Sequence, residues 1–436
     1  MIKVLALSRS NSFFILADKV IKSFSSLVVI SLVARELGVS LFGEFNSLLS
    51  IAAFLVPIAS LGLNKIVIKA MVEAEESRQK DLILSTSIIM RFLVGLILSI
   101  LAHFYFENFA FTFFLFCQSF LALQLFELAL NYEDKFKTIC KLRSLLTILF
   151  AILKCILVFK YPYISTMLFV FGLEVLSVEL MLLIVFLHGS ERKFRLLIEP
   201  KKLLSLLKKS SLLMLSATFS VVYLKLDVVM LENMHSPYEA GVYSAASKVS
   251  EAWLFIPTVL IARYFPTQLK IYNSDKELYK KSLQFMMDKT LLLALMFVVF
   301  ILIFGEMIIQ FLYGDNYLDS VSILQLHCIA SVFIALRLLV SQWLIIHDQY
   351  LMSLYSHVIG ALVNVALNYV LIPSYGGSGA VIATISAYIV ASYLSLFVNS
   401  ATYEIRRVMG LSFAFAFRFK AFLQLQKPWS NSNIKL

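Results

Sequence analysis

The chain is a succession of apolar runs of roughly 20 residues, each closed by a short polar or charged break, and no other feature restricts its folding as much. A run of that length, wound as an α-helix, crosses the ~30 Å hydrocarbon core of a bilayer. Lipid offers backbone amides no partner, so every crossing segment must satisfy its hydrogen bonds internally. A barrel strand would alternate polar and apolar residues, whereas stretches such as 291–304 are apolar on every side; helices are therefore expected. With 60% hydrophobic and 15% charged residues over 436 positions, a water-soluble globule is excluded.

Charge and turn residues mark out twelve spans. The first six are Ser12–Ala34, Phe42–Leu63, Leu82–His103, Phe109–Leu130, Leu142–Phe159 and Tyr163–Leu187. The second six are Ser211–Leu231, Gly241–Phe265, Leu291–Leu312, Val321–Ile346, Leu354–Ile372 and Gly379–Val398. This predicts an all-α polytopic membrane protein with an N-terminal six-helix bundle (1–187), a linker loop (188–210), a second six-helix bundle (211–399) and a basic tail (400–436). In the tail, Leu411–Leu425 is expected to lie along the membrane surface as an interfacial helix. The first apolar run outlasts a signal peptide and lacks a small-residue cleavage site, so it reads as a retained span. Cys117, Cys140, Cys155 and Cys328 have no paired or metal-like spacing and read as packing residues.

The net charge of +11 raises the question of nucleic acid, but the placement of the charge answers it. Alternate loops are rich in Lys and Arg: Lys65 to Lys80, Lys135 to Arg143, Arg192 to Lys209, and Lys270 to Lys289. The opposite set offers Arg35 and Lys160. That asymmetry is the signature of membrane orientation; it puts the basic loops and both termini in the cytoplasm and requires an even number of spans. The outer loops are too short to form a domain, which argues against a membrane glycan polymerase. No nucleic-acid partner is expected.

Polar groups inside the spans are the candidates for function, because a charge at bilayer depth costs several kcal/mol unless it pairs or meets water. Lys19 and Lys22 share a face of the first span, where Asp18 is placed to reach Lys22. Ser216, Ser220, Tyr223 and Asp227 make a stripe down the seventh span, with Lys225 on nearly the opposite side. Ser244, Lys248 and Glu251 repeat the pattern on the eighth. Smaller groups are Ser87 with Arg91, Gln124 with Glu127 and Asn131, Thr147 with Lys154, Arg337 with Ser341, and His357 with Asn364 and Asn368. Hydrogen bonds that merely hold helices together account for many Ser, Asn and Gln members, at about 0.6 kcal/mol each. Charged residues on so many helices point instead to a shared aqueous cavity. No P-loop, nucleotide fingerprint, nucleophile elbow or metal spacing occurs, so no catalytic residue, cofactor or metal is expected and the chain does not read as an enzyme.

Several stretches resemble the polysaccharide-transporter (O-antigen flippase, Wzx-type) family of the multidrug/oligosaccharidyl-lipid/polysaccharide exporter superfamily. They are ADKVIKSF from Ala17, ARELGVSLFGEFN from Ala34, PIASLGL from Pro57, YLKLD from Tyr223, GVYSAASKVSEAWLFIP from Gly241, FLYGDNY from Phe311 and LNYVLIPSYGGSGAVIAT from Leu367. Within them Gly38 and Gly43 fit a tight turn, Tyr375 to Gly379 a hairpin, and Pro57 and Pro257 kinks in their helices. The resemblance implies two six-helix bundles around a central cationic cavity working by alternating access. It implies as substrate an undecaprenyl-diphosphate-linked oligosaccharide, an O-antigen or capsule repeat unit used in lipopolysaccharide or polysaccharide biosynthesis, flipped across a bacterial inner membrane. Membrane lipids, a coupling ion (a proton or sodium, carried by Asp227 or Glu251), a polysaccharide polymerase and a chain-length regulator are the implied partners. Lys19, Lys22, Lys225, Asp227, Lys248 and Glu251 match charged positions of the family; Arg91, Arg337, Asn364 and Asn368 join them as substrate-binding candidates. Lys22 and Lys225 stand where relatives often carry arginine, which removes a bidentate fork for phosphate. The same fold serves exporters of small cationic drugs, which an acidic cavity would favour.

Overall fold

The computed structural model describes residues 9–74, 76–132, 135–189, 194–197 and 199–414. Among them there is no strand. The helices are α1 (Arg9–Leu37), α2 (Val39–Ser60), α3 (Leu63–Glu73), α4 (Ser77–Phe106), α5 (Phe109–Ser119), α6 (Leu125–Tyr132), α7 (Phe136–Lys160) and α8 (Ile164–Gly189). They continue as α9 (Pro200–Met234), α10 (Pro237–Ala252), α11 (Phe255–Ser274), α12 (Lys276–Tyr313), α13 (Ser320–Ile346), α14 (Tyr350–Ser392) and α15 (Tyr403–Phe413).

Ten of these helical segments are long and apolar enough to cross a membrane. Two further crossings complete the expected twelve. α1 falls outside the ten because Asp18, Lys19 and Lys22 interrupt it. α14 is two helices joined at Gly376, whose φ of 50° and ψ of −132° no helix contains. The chain doubles back there: a Cβ on Gly379 would lie 2.6 Å from the carbonyl oxygen of Leu371, a separation no straight helix gives residues eight apart. This is the hairpin expected between the last two spans.

The chain forms two compact units, residues 1–241 with 312–316 and residues 242–311 with 317–436. In the first, Leu63, Val67, Met71, Ile83, Leu84, Phe126, Phe186 and Leu206 build a core from α3, α4, α6, α8 and α9. Phe126 stacks on Phe186 at 4.4 Å, and Phe194 meets both edge-on. The described linker residue Phe194 is therefore packed on this core. The backbone N–H of Arg195 donates to Asp81, Ser85 donates to the Arg195 carbonyl, and α9 starts at Pro200, where the missing N–H costs nothing. In the second unit Trp253 stacks on Phe297 at 4.8 Å and Trp343 on His347 at 3.9 Å within a core that also holds Met287, Leu336, Ile405 and Met409.

Several expected elements differ in detail. Gly43 is not in a turn; it lies inside α2, where a Cβ would overlap the Pro237 carbonyl oxygen, and Gly241 is equally tight against the Val39 carbonyl. Lipid gives helices no hydrophobic reason to associate, so small residues that admit close backbone contact decide where they cross. The second span stops at Leu61 and Gly62, both left-handed, and the chain resumes as α3. The eighth span breaks at 253–254, four residues ahead of Pro257, whose ring excludes the helical carbonyl at that distance. The fourth passes through a 3₁₀ segment at Phe120–Gln124. Among its described residues the tail forms α15, with Ile405, Val408 and Met409 buried in the protein core. Gln284 of α12 donates to the Val408 carbonyl and to Ser412, and Ser412 donates to Asp288 at 2.6 Å. The rest of the predicted interfacial helix, beyond residue 414, lies outside the described residues, as do Arg418 and Lys420.

Candidate functional site

The first unit carries a network of charges within its spans, built from five helices. Asp18 of α1 is buried, and Lys19 and Lys22 on the same helix are exposed. Asp18 was expected to reach Lys22; it meets α7 instead, accepting from Ser144 at 3.0 Å and lying 3.5 Å from Arg143. The other arm of Arg143 donates to Glu127 of α6 at 2.5 Å. One guanidinium thus joins three helices, which its planar fork allows and a lysine would not. Further along α7, Lys154 pairs with Glu174 of α8, and its ammonium sits 3.6 Å from the centre of the Phe171 ring. Lys154 is thereby a pairing residue between α7 and α8.

Arg91 of α4 is 4% exposed and is held by neutral groups. It donates to Asn64 of α3 at 2.9 Å and to the Leu121 carbonyl at 3.1 Å. That carbonyl lies in the 3₁₀ segment, where the helix's own hydrogen-bond ladder is loosened. Nε of Arg91 makes no hydrogen bond among the described residues. The side chain lines a small cleft with Gly95, Ser99, Gln118, Ser119 and apolar residues of α2.

Glu179 of α8 completes the network. It is 4% exposed, its Oε2 has no hydrogen-bond partner among the described residues, and it is electrostatically coupled to Arg143, Glu127, Arg91 and Lys22. Of the sequence candidates, the structure therefore groups Asp18, Lys22, Arg91 and Glu127 around Arg143 and Glu179. Glu174 and Glu179 were missed entirely, although two acids inside so apolar a span are the signal that should have found them. Arg143 was counted as a loop cation.

The remaining candidates are distributed as follows. Lys225 and Asp227 are on α9 in the first unit, with Asp227 buried and Lys225 half-buried. Lys248 and Glu251 are half-buried on α10 in the second unit. Arg337 of α13 is a buried clip: it donates to the Ala391 carbonyl at 2.7 Å and to Ser356 at 2.6 Å, and lies 3.1 Å from Nε2 of His357. Arginine only donates, so that imidazole nitrogen accepts and the ring's proton is on Nδ1. The Ala391 carbonyl belongs to the last turn of α14, where a cation is favoured by the helix dipole. Asn364 and Asn368 are fully buried on α14 and hydrogen-bond each other at 3.2 Å. Nearby in the same unit, Ser250 and Nδ1 of His327 lie 2.6 Å apart, and Tyr243 faces Thr384 at 3.4 Å.

The chain is a multi-pass helical membrane protein with ionisable groups inside its spans, and solved structures share its fold. The lipid II flippase MurJ, in an inward closed conformation, matches with a TM-score of 0.64 at 19% identity over 96% of this chain and 95% of that one. An inward-facing multidrug resistance transporter of the MATE family, in the MOP superfamily, gives 0.67 at 14% identity over 91% and 96%. A MOP superfamily transporter from Pyrococcus furiosus, described as having a binding pocket of reversed polarity, gives 0.63 at 14% over 90% and 95%. The chain belongs to the polysaccharide biosynthesis protein family, which it matches over residues 8–272. No curated protein matches it significantly.

Proposed function

We propose that this protein is a flippase that moves an undecaprenyl-diphosphate-linked oligosaccharide, an O-antigen or capsule repeat unit, from the cytoplasmic to the periplasmic leaflet of a bacterial inner membrane by alternating access. The observation that carries the reading is Arg91, a guanidinium inside a membrane span whose direct hydrogen-bond partners are all neutral. Such a charge is costly at that depth unless an anion visits it. Lys19 and Lys22 add exposed positive charge on α1. Membership of a polysaccharide biosynthesis family and a fold shared with a lipid II flippase support the same substrate chemistry, a lipid-borne diphosphate with sugars.

In this reading Lys19, Lys22 and Arg91 offset the diphosphate charge within the first unit, where Lys225 and Asp227 are further candidates. Within the second, Lys248, Glu251 and the Asn364–Asn368 pair suit sugar hydroxyls, and Arg337 holds the helices that carry them. A proton or sodium ion serves as coupling ion, with Asp227 or Glu251 as carrier. Both termini face the cytoplasm, and a polymerase and a chain-length regulator act on the flipped product. The test is complementation of a strain lacking this gene with Lys19→Ala, Lys22→Ala, Arg91→Ala or Lys248→Ala. Reduced surface polysaccharide is expected, and wild-type output from all four would remove them from the site.

A second reading, export of small cations, is favoured by one observation: the buried carboxylates Asp227 and Glu179. It requires drug resistance to fall when these are neutralised, with polysaccharide output unchanged.

A further inference from the structure

Glu179 has no part in handling the lipid diphosphate as proposed above, and its surroundings give it one. Its carboxylate is buried on α8 with Oε2 unbonded among the described residues. The charges that act on it come from four helices. α1 brings Lys22 and, through Arg143, Asp18; α4 brings Arg91; α6 brings Glu127; α7 brings Arg143. Lys154 of α7 is occupied by Glu174 on Glu179's own helix. From α5 the ionisable group is Cys117, and from α2 it is Glu44, which is coupled to Glu232 of α9. Counting the network, Lys22, Arg91 and Arg143 face Asp18, Glu127 and Glu179, so it is neutral when Glu179 is ionised.

Arg143 is held by two carboxylates at hydrogen-bonding or ion-pair distance. Among the described residues neither Lys22 nor Arg91 pairs directly with an acid of this network, and Glu179 is the acid there without a direct bond from a cation. An anion that arrives at exposed Lys22 therefore competes with Glu179 for the same field. Two uncompensated anions cannot share so dry a place, and the carboxylate is the one that can be neutralised by a proton.

We propose that Glu179 is a built-in counter-anion: it balances Lys22, Arg91 and Arg143 while the site is empty, and it takes a proton from water onto its carboxylate when a lipid diphosphate takes its place. The inference rests on the lipid-diphosphate reading above. It makes binding and protonation linked events, so affinity falls as pH rises.

The experiment uses the full chain in lipid nanodiscs with an undecaprenyl-diphosphate-linked sugar as probe, because both of its phosphates are esterified and neither titrates between about pH 6 and about pH 8. Binding by the wild type in weak buffer should take up about one proton per site, and affinity should weaken about tenfold or more between about pH 6 and about pH 8. Glu179→Gln, which mimics the protonated form, should bind with no proton uptake and with the same affinity at both pH values. Wild-type binding without proton uptake, or unchanged uptake by Glu179→Gln, overturns the counter-anion role while leaving the substrate reading standing. No binding by the wild type at either pH overturns both. Should Glu179→Gln fail to fold, the proton count of the Asp227→Asn, Glu251→Gln double variant decides: uptake that persists supports Glu179, and uptake that vanishes overturns its role.

Discussion

Arg143 ties three helices of the first unit together. It spans Asp18 on α1 and Glu127 on α6 from its own place on α7. Removing it leaves two carboxylates largely shielded from water without their cation, and breaking such pairs costs roughly 3 kcal/mol or more. Arg143→Ala is therefore expected to lower the thermal unfolding temperature of the purified protein by several degrees. Arg143→Lys should recover only part of the loss, since an ammonium cannot bond both partners with the same geometry. An unchanged melting curve for Arg143→Ala would show that the network is solvated. The sequence showed which face of a helix each polar group occupies, because spacing fixes angle. It did not show partners, since Asp18 has a near neighbour in Lys22 along its helix while its real contact, Arg143, is more than a hundred residues away. Glu174 and Glu179 were hidden by the length of the apolar run that contains them.

At the scale of the element, close backbone contact sets where helices cross and turn. Gly379→Ala would put a methyl group 2.6 Å from the Leu371 carbonyl oxygen, and overpacking of this kind costs about 1–3 kcal/mol. Gly43→Ala meets backbone at still shorter range and should be the more damaging change, read as lower yield of folded protein in a fluorescence-based stability assay. Equal stability of both variants with wild type would contradict the helix crossings described here. The hairpin at Gly376 was legible because glycine clusters mark turns. Gly43 was misread as a turn residue because sequence alone does not distinguish a glycine that bends the chain from one that admits a neighbour.

The helix α15 gives an expectation in pH. The His347 imidazole, 3.6 Å from the Glu404 carboxylate, together with Lys280, holds that carboxyl below its usual range. A depressed folded-state value means that Glu404 stabilises α15 above the unfolded value, about pH 4.3, and that this contribution is lost as pH falls through the lower folded value. The protection factors of α15 amides against hydrogen exchange should fall on acidification through that window in the wild type. Glu404→Gln should abolish the acid-dependent part of the change. An identical acid response in the variant would sink this assignment.

For the whole molecule, orientation is the first thing to test. Twelve crossings with basic alternate loops require both ends on one side of the membrane. Single cysteines at Gln79 and Tyr161, in a background without the four native thiols, should label oppositely: Tyr161 from outside intact cells, Gln79 only after the membrane is opened. Labelling of both from one side would invalidate the span count. The number of spans and the all-helical class were plain from the apolar runs, because length against bilayer thickness is a geometric constraint that tertiary contacts do not alter. Function was legible only as far as charges in unexpected places, since what they bind depends on how several helices assemble.

The most direct measurement is transport itself. Purified protein in liposomes, given an undecaprenyl-diphosphate-linked oligosaccharide in one leaflet, should move the headgroup to the other, as read by a glycan-modifying enzyme confined to the far side. Arg91→Ala should slow that movement about tenfold or more, the loss of one charge-assisted contact. No protein-dependent movement of the lipid-linked glycan, or full movement by Arg91→Ala, would contradict the central claim that a buried cationic site in this chain handles a lipid diphosphate.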